Sequence, residues 1–129
     1  MEFKITRENF LDGLSKTQGV VEKKNTMPVL SNILLDADKN GLKISATDLE
    51  VALVCQTPAQ VLSPGKITVP SRSMHDIVRE MSEREMSITL KENDRIEVRA
   101  GRSVFNIPGL SAAEFPSLPK VEAKSIESL

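Results

Sequence analysis

The sequence predicts an α+β fold of eight strands and two helices, in two matching halves that each run strand, helix and three strands. Three observations support this. The apolar period passes from two to 3.6 and back to two, twice, in the same order. Turn signals at Asn40-Gly41 and at Gly101 each separate two strands of a meander. The triplet Lys-Ile-Thr occurs at Lys4-Ile5-Thr6 and at Lys66-Ile67-Thr68, 62 positions apart (66 minus 4), each time in a strand ahead of a helix. A triplet match alone proves little, and the repeated order of elements carries more weight.

The first half opens with a strand over Glu2 to Thr6, with Phe3 and Ile5 on one face. Thr6 suits a helix N-cap, because its hydroxyl accepts from a free backbone N–H of the first turn. A helix over about Arg7 to Val21 follows, with Phe10, Leu14, Thr17 and Val21 at helical spacing. Gly13 inside it costs about 1 kcal/mol relative to Ala. After the polar loop "EKKNT", Pro28 opens the strand "PVLSNILLDAD". Asn40-Gly41 signals a two-residue hairpin, then "LKISAT" alternates Leu42, Ile44 and Ala46 with polar residues, and "VALVCQT" is the third strand of the meander.

The second half repeats the plan. Lys66 to Val69 is a strand that Pro70 closes, and Ser71 is a candidate N-cap. A helix over about Arg72 to Met81 carries the stripe Met74, Ile77, Val78 and Met81. "MSITL", "IEVRA" and "SVFNI" are strands, the first two joined by "KENDR" and the last two tightly around Gly101. From Pro108 onward the period is lost, and the segment reads as an exit.

A chain of 129 residues is the size of one domain, and 40% hydrophobic with 27% charged residues is a globular mixture. No apolar run approaches the roughly 20 residues of a membrane helix, and no secretory signal stands at Met1-Glu2-Phe3-Lys4, so no membrane association and a cytoplasmic location are expected. The single cysteine, Cys55, excludes an internal disulfide and a cysteine-based metal cluster. The net charge is −1, from 17 basic and 18 acidic residues, so the chain is no basic nucleic-acid tail, although a local basic face remains open. Four Phe and no Trp or Tyr supply base stacking poorly.

Five stretches together carry a family resemblance: "PVLSNILL" at 28–35, "SATDLEVAL" at 45–53, "VPSRSMHDIVRE" at 69–80, "RAGRSVFNI" at 99–107 and "AAEFPSLP" at 112–119. In order and spacing the chain resembles the first domain of the bacterial sliding clamp, the beta subunit of DNA polymerase III. The resemblance implies a DNA-clamp fold: two helices packed on two four-stranded antiparallel sheets with pseudo-two-fold symmetry. It implies a clamp domain over 1–119, with halves of about 1–60 and 61–110, and residues 120–129 as a linker into a second domain. It also implies a processivity factor of the replicative polymerase. By the same resemblance, two subunits are expected to form a ring of six domains that slides on duplex DNA, performs no chemistry and needs no cofactor. The partners implied are duplex DNA, a second clamp subunit, and the polymerase and clamp loader, whose peptide pocket lies in domains that this chain lacks.

A sliding ring must attract a polyanion without reading its sequence, a task suited to Lys and Arg on the helix faces. Arg72 and Arg79 lie seven apart on the second helix; Lys16 and Lys23 have the same spacing on the first, with Lys24 just after. The resemblance favours Lys24, Arg72 and Arg79 as DNA-facing; Lys16 and Lys23 stand at even odds against plain solvated charges, and Asp12 and Asp76 share the same faces. For the subunit junction, an edge strand offers free N–H and C=O groups. The resemblance places there the strand Ser103 to Ile107 with Arg102 before it, Val104 within it, and Ile77 and Met81 of the second helix. Two positions that are often basic at this junction are Ser73 and Val104 here, which implies fewer salt bridges across it.

Two other readings compete. An enzyme needs converging reactive groups, and His75, the one histidine, and Cys55, in an apolar strand, do not supply them. A small α+β protein-interaction module that does not act on DNA also fits the pattern without the resemblance.

Overall fold

The computed structural model describes residues 1–21, 32–47, 52–82 and 84–115. Its elements run β1 (Glu2–Thr6), α1 (Arg7–Val21), β2 (Asn32–Asp38), β3 (Gly41–Thr47), β4 (Ala52–Thr57), β5 (Gln60–Ser63), β6 (Gly65–Pro70), α2 (Ser71–Glu80), β7 (Glu85–Leu90), β8 (Arg95–Ala100) and β9 (Ser103–Pro108). "EKKNT", the start of the strand at Pro28 and residues 116–129 lie outside the described residues.

The strands form two antiparallel sheets. Sheet A has the order β5-β1-β7-β8-β9 and sheet B the order β4-β3-β2-β6. The halves exchange their first strands. β1 leaves its own half and pairs with β7, whereas β6 pairs with β2 of the first half. Without β5, the order β1-β7-β8-β9 mirrors β6-β2-β3-β4, which is the pseudo-two-fold plan. The ninth strand, β5, sits outside β1 and is mostly exposed; its four residues, with Val61 and Leu62 adjacent, give no alternation to read.

The two Lys-Ile-Thr copies lie in equivalent strands but not at equivalent positions. Ile5 pairs with Met86, the second residue of β7, and it is Val69 that pairs with Ile33, the second residue of β2. Ile67 therefore matches Phe3, and the strings are offset by two residues. An even offset preserves the inward face, so Ile5 and Ile67 are both buried.

One core serves the whole unit. Sheet A contributes Phe3, Ile5, Met86, Ile88 and Val98, and sheet B contributes Ile33, Leu35, Leu42, Ile44 and Ile67. The helices set Phe10, Leu14, Met74 and Val78 against them. Phe3 and Phe10 meet edge to face at 6.3 Å, a geometry that aligns the positive ring edge with the negative face. The cost of Gly13 has a packing reason: a Cβ there would stand 2.7 Å from Ile44 Cδ1, so the glycine lets α1 approach β3.

Local signals resolve in detail. Thr6 Oγ1 accepts from the Asn9 N–H at 3.2 Å, as an N-cap does. Ser71 is no cap. Pro70 holds that position without a side-chain bond, and the Ser71 hydroxyl is buried without a hydrogen-bond partner. α2 ends at Glu80, and Met81 is its C-cap. The hairpin between β2 and β3 is centred on Lys39-Asn40, because Asp38 pairs with Gly41; Asp38 Oδ1 accepts from the Asn40 N–H at 2.7 Å, a local Asx bond that competes with the Asn-Gly turn. Gly101, at φ +57°, turns β8 into β9, with Ala100 opposite Ser103. The exit segment folds back on the domain. Leu110 bridges to Thr68 of β6 by backbone bonds of 3.0 Å in both directions.

Because each sheet borrows a strand from the other half, neither half is a complete unit. Residues 1–63 and 64–129, produced as separate chains, are expected to lack a cooperative monomeric unfolding transition by circular dichroism. Mixing them is expected to restore it. A half that folds as a monomer would contradict the exchange.

Candidate nucleic-acid and subunit interfaces

α1 leads from β1 of sheet A towards sheet B, and α2 leads from β6 of sheet B to β7 of sheet A. The helices therefore run in opposite directions, and their contacts agree. Arg7, at the start of α1, reaches the end of α2: its Nε donates to the Val78 carbonyl at 3.1 Å and its Nη2 to the Arg79 carbonyl at 2.7 Å. A cation at a helix C-terminus satisfies free carbonyls and opposes the negative end of the dipole. Further along, Ser15 Oγ and His75 Nε2 lie 3.1 Å apart. Asp76 Oδ1 stands 4.0 Å from His75 Nδ1 on the same helix, beyond hydrogen-bond reach, so the Ser15–His75 contact links the helices and the three residues form no proton relay.

Arg72 and Arg79 are exposed on α2, opposite its buried residues Met74 and Val78. Lys16 is exposed on α1, opposite Leu14 and Thr17. These cations share the surface with carboxylates. Lys16 Nζ is 3.0 Å from Asp12, and Arg79 Nη2 is 3.6 Å from Asp76 and 4.0 Å from Glu80. Among the described residues no carboxylate lies within ion-pair distance of Arg72. Lys23 and Lys24 fall outside the described residues.

The second candidate surface is the β9 edge. Among the described residues β9 pairs with β8 on one side only, and its residues are exposed apart from Ile107. Val104 is 44% exposed and Phe105 38%, high values for large apolar side chains. Arg102 and Ser103 are exposed at its start. Met81 is buried and Ile77 half-buried, both against the domain's own core. Beside the edge, Glu80, Met81, Ser82, Ala100, Ser103 and Phe105 line a cleft of about 100 Å³. Phe105 escapes a sequence reading because it alternates with buried Ile107 and looks like core; only its place on an outer strand exposes it. Arg7 escapes because a polar residue in a first helical turn attracts no notice.

A family model for the N-terminal domain of the DNA polymerase III beta subunit matches residues 1–119. The chain belongs to the DNA polymerase III beta subunit family. A beta sliding clamp of Caulobacter vibrioides is 42% identical over 118 residues, which are 90% of this chain and 32% of that protein. A beta sliding clamp of Vibrio harveyi is 38% identical over 92% of this chain and 82% of its own sequence. The solved pol III beta structure from Caulobacter crescentus superposes with a TM-score of 0.86 at 40% identity, covering 93% of this chain and 32% of that one. The Bacillus subtilis sliding clamp, at 24% identity, shares the fold with a TM-score of 0.90 over 95% of this chain and 34% of its own. This member of the family thus spans about a third of the Caulobacter relatives. Among its described residues, no helix is long and apolar enough to cross a membrane, and no cluster of His, Cys, Asp or Glu is placed to hold a metal ion.

The grip of Arg7 on α2 has a measurable consequence. Arg7→Met keeps the aliphatic stem and removes both donors. It is expected to lower stability by about 1–2 kcal/mol in urea denaturation, with hydrogen exchange accelerated first at the end of α2.

Proposed function

We propose that this chain is the first domain of a processivity clamp: one arc of a dimeric ring that encircles duplex DNA and holds the replicative polymerase to it without catalysis. Family membership supports the polymerase assignment. The observation that carries ring formation is the open β9 edge, where unpaired backbone groups stand beside Val104, Phe105 and the cleft over Met81. An edge of this kind is a template for a strand from another chain. In this reading the junction with the second subunit uses Arg102, Ser103 and Val104, together with Phe105, and the flank of α2 at Ile77 and Met81. The replicative polymerase and the clamp loader dock on parts of the subunit beyond this domain.

DNA faces the exposed side of the helix pair in this reading. Arg72 is the most available cation there, Arg79 and Lys16 are offset by their carboxylate neighbours, and Lys23 and Lys24 continue the basic series. A face of mixed charge attracts phosphates weakly and reads no bases, which suits sliding. Retention then comes from topology and not from affinity.

Two measurements test this. The isolated chain is expected to bind duplex DNA at the weak end of the non-specific range, around 10⁻⁴ M at physiological salt, without sequence preference. Arg72→Gln is expected to lower the slope of log K against log salt by about 0.9; tight, salt-insensitive or sequence-selective binding would count against the reading. The full-length subunit, loaded on circular duplex, is expected to stay bound and to be released when the circle is cut. Persistence on short linear duplex would contradict encirclement.

A further inference from the structure

We propose that Glu80 is a specificity determinant of the β9 edge: its carboxylate selects an incoming strand that places a basic side chain on the helix side of the sheet, and disfavours a second copy of the same edge. The inference rests on the reading of β9 as the seat of a partner strand.

Four observations converge on Glu80. It is the last residue of α2 and lines the cleft together with Met81 and Phe105. Its side chain is 78% exposed, and the cation recorded beside it, Arg79 Nη2, is 4.0 Å away and closer to Asp76. A carboxylate at a helix C-terminus is electrostatically unfavourable, so α2 gains nothing from it. The opposite face of the same edge carries the other sign. On β8, Ile96, Val98 and Ala100 are buried, so Arg95, Glu97 and Arg99 point to the outer face, where Arg99 stands opposite exposed Val104 and donates to Glu97 at 3.2 Å, and Arg95 leaves these three residues with a net positive charge.

The two faces of the edge therefore differ in charge as well as in shape. A strand alternates its side chains. One that pairs with β9 sends every second residue over the Met81–Phe105 cleft and the others over Val104 and Arg99. A Lys or Arg suits the cleft, since its methylene stem covers Met81 and Phe105 while its head meets Glu80. A slip of one residue would move that cation to the Arg99 side. Antiparallel pairing of two β9 edges keeps the faces aligned, which puts both Glu80 carboxylates on one side of the joined sheet. Repulsion of this kind discriminates between partners without adding contacts to the right one.

The test is dimer dissociation of the full-length subunit by sedimentation, for the unmodified chain, Glu80→Gln, Glu80→Lys and Phe105→Ala, at low and high salt. Glu80→Gln is expected to weaken the dimer about threefold to tenfold and Glu80→Lys more, with both losses shrinking at high salt. Melting temperatures of both Glu80 variants of the 129-residue chain, where no dimer contributes to stability, are expected to hold or rise, because the helix end is relieved; a merely structural role would lower them. Weakening by Phe105→Ala alone, with the Glu80 variants unchanged or tighter, would overturn this inference and leave the β9 reading standing. No weakening by Phe105→Ala would overturn the β9 reading and this inference with it. The 129-residue chain is expected to sediment as a monomer, and a dimer that Phe105→Ala abolishes would overturn the rejection of like edges.

Discussion

The reciprocal exchange of β1 and β6 is the constraint on which the helix pair, the core and the free edges depend. Each helix begins where a strand in one sheet ends and must deliver the chain to the other sheet. Two such crossings in opposite senses leave the helices antiparallel and side by side, with the start of α1 at the end of α2. Arg7 occupies that meeting point and bonds the last carbonyls of its neighbour. The exchange also decides which edges stay open. The first strand of each half is taken to one side of the other half's meander, where β5 covers the outer side of β1 and Leu110 bonds β6 at Thr68, while the last strands, β4 and β9, end the sheets on the other side. β9 is the more exposed of these two.

Much of the fold was legible because its signals are local. The period of each helix, the alternation of Leu42, Ile44 and Ala46, and the capping hydroxyl of Thr6 act over a few residues, and each appears where the sequence puts it. What escaped is non-local or competitive. Nothing in Lys4-Ile5-Thr6 says that its neighbour is β7 and not β2, since any strand with one apolar face can pair with either. Gln60–Ser63 buries little beyond Val61, so its pairing follows mainly from its position beside β1. The hairpin moved by one residue because Asp38 supplied a bond that the Asn-Gly pattern ignores. Ser71 looked like a cap, but the tight approach of α2 to the core takes its side chain inward.

The candidate surfaces were legible to different degrees. Arg72, Arg79 and Lys16 are exposed on the helix faces, as their spacing required, but their carboxylate neighbours dilute the positive field. In the proposed reading that dilution is useful, because deep wells for individual phosphates would turn sliding into a series of slow escapes. At the proposed junction, Ile77 and Met81 pack against the domain's own core. Exposure singles out Phe105 instead, and the unfavourable placement of Glu80 on its helix gives the edge a sign.

The strand exchange also bears on how such a molecule can arise. A single strand–helix–meander half, standing alone, would hold a strand it cannot seat and a meander edge it cannot cover. Two copies of that half cure both faults by trading first strands, which makes a symmetric dimer the smallest stable ancestor. Joining the copies through a short connector, as Pro64 and its neighbours join the halves here, turns that dimer into one gene product without altering a contact. The last strand of each copy keeps an open outer side after the fusion. The ancestor would thus have had two sticky ends from the outset, and a closed chain of such units is the assembly that leaves none of them bare.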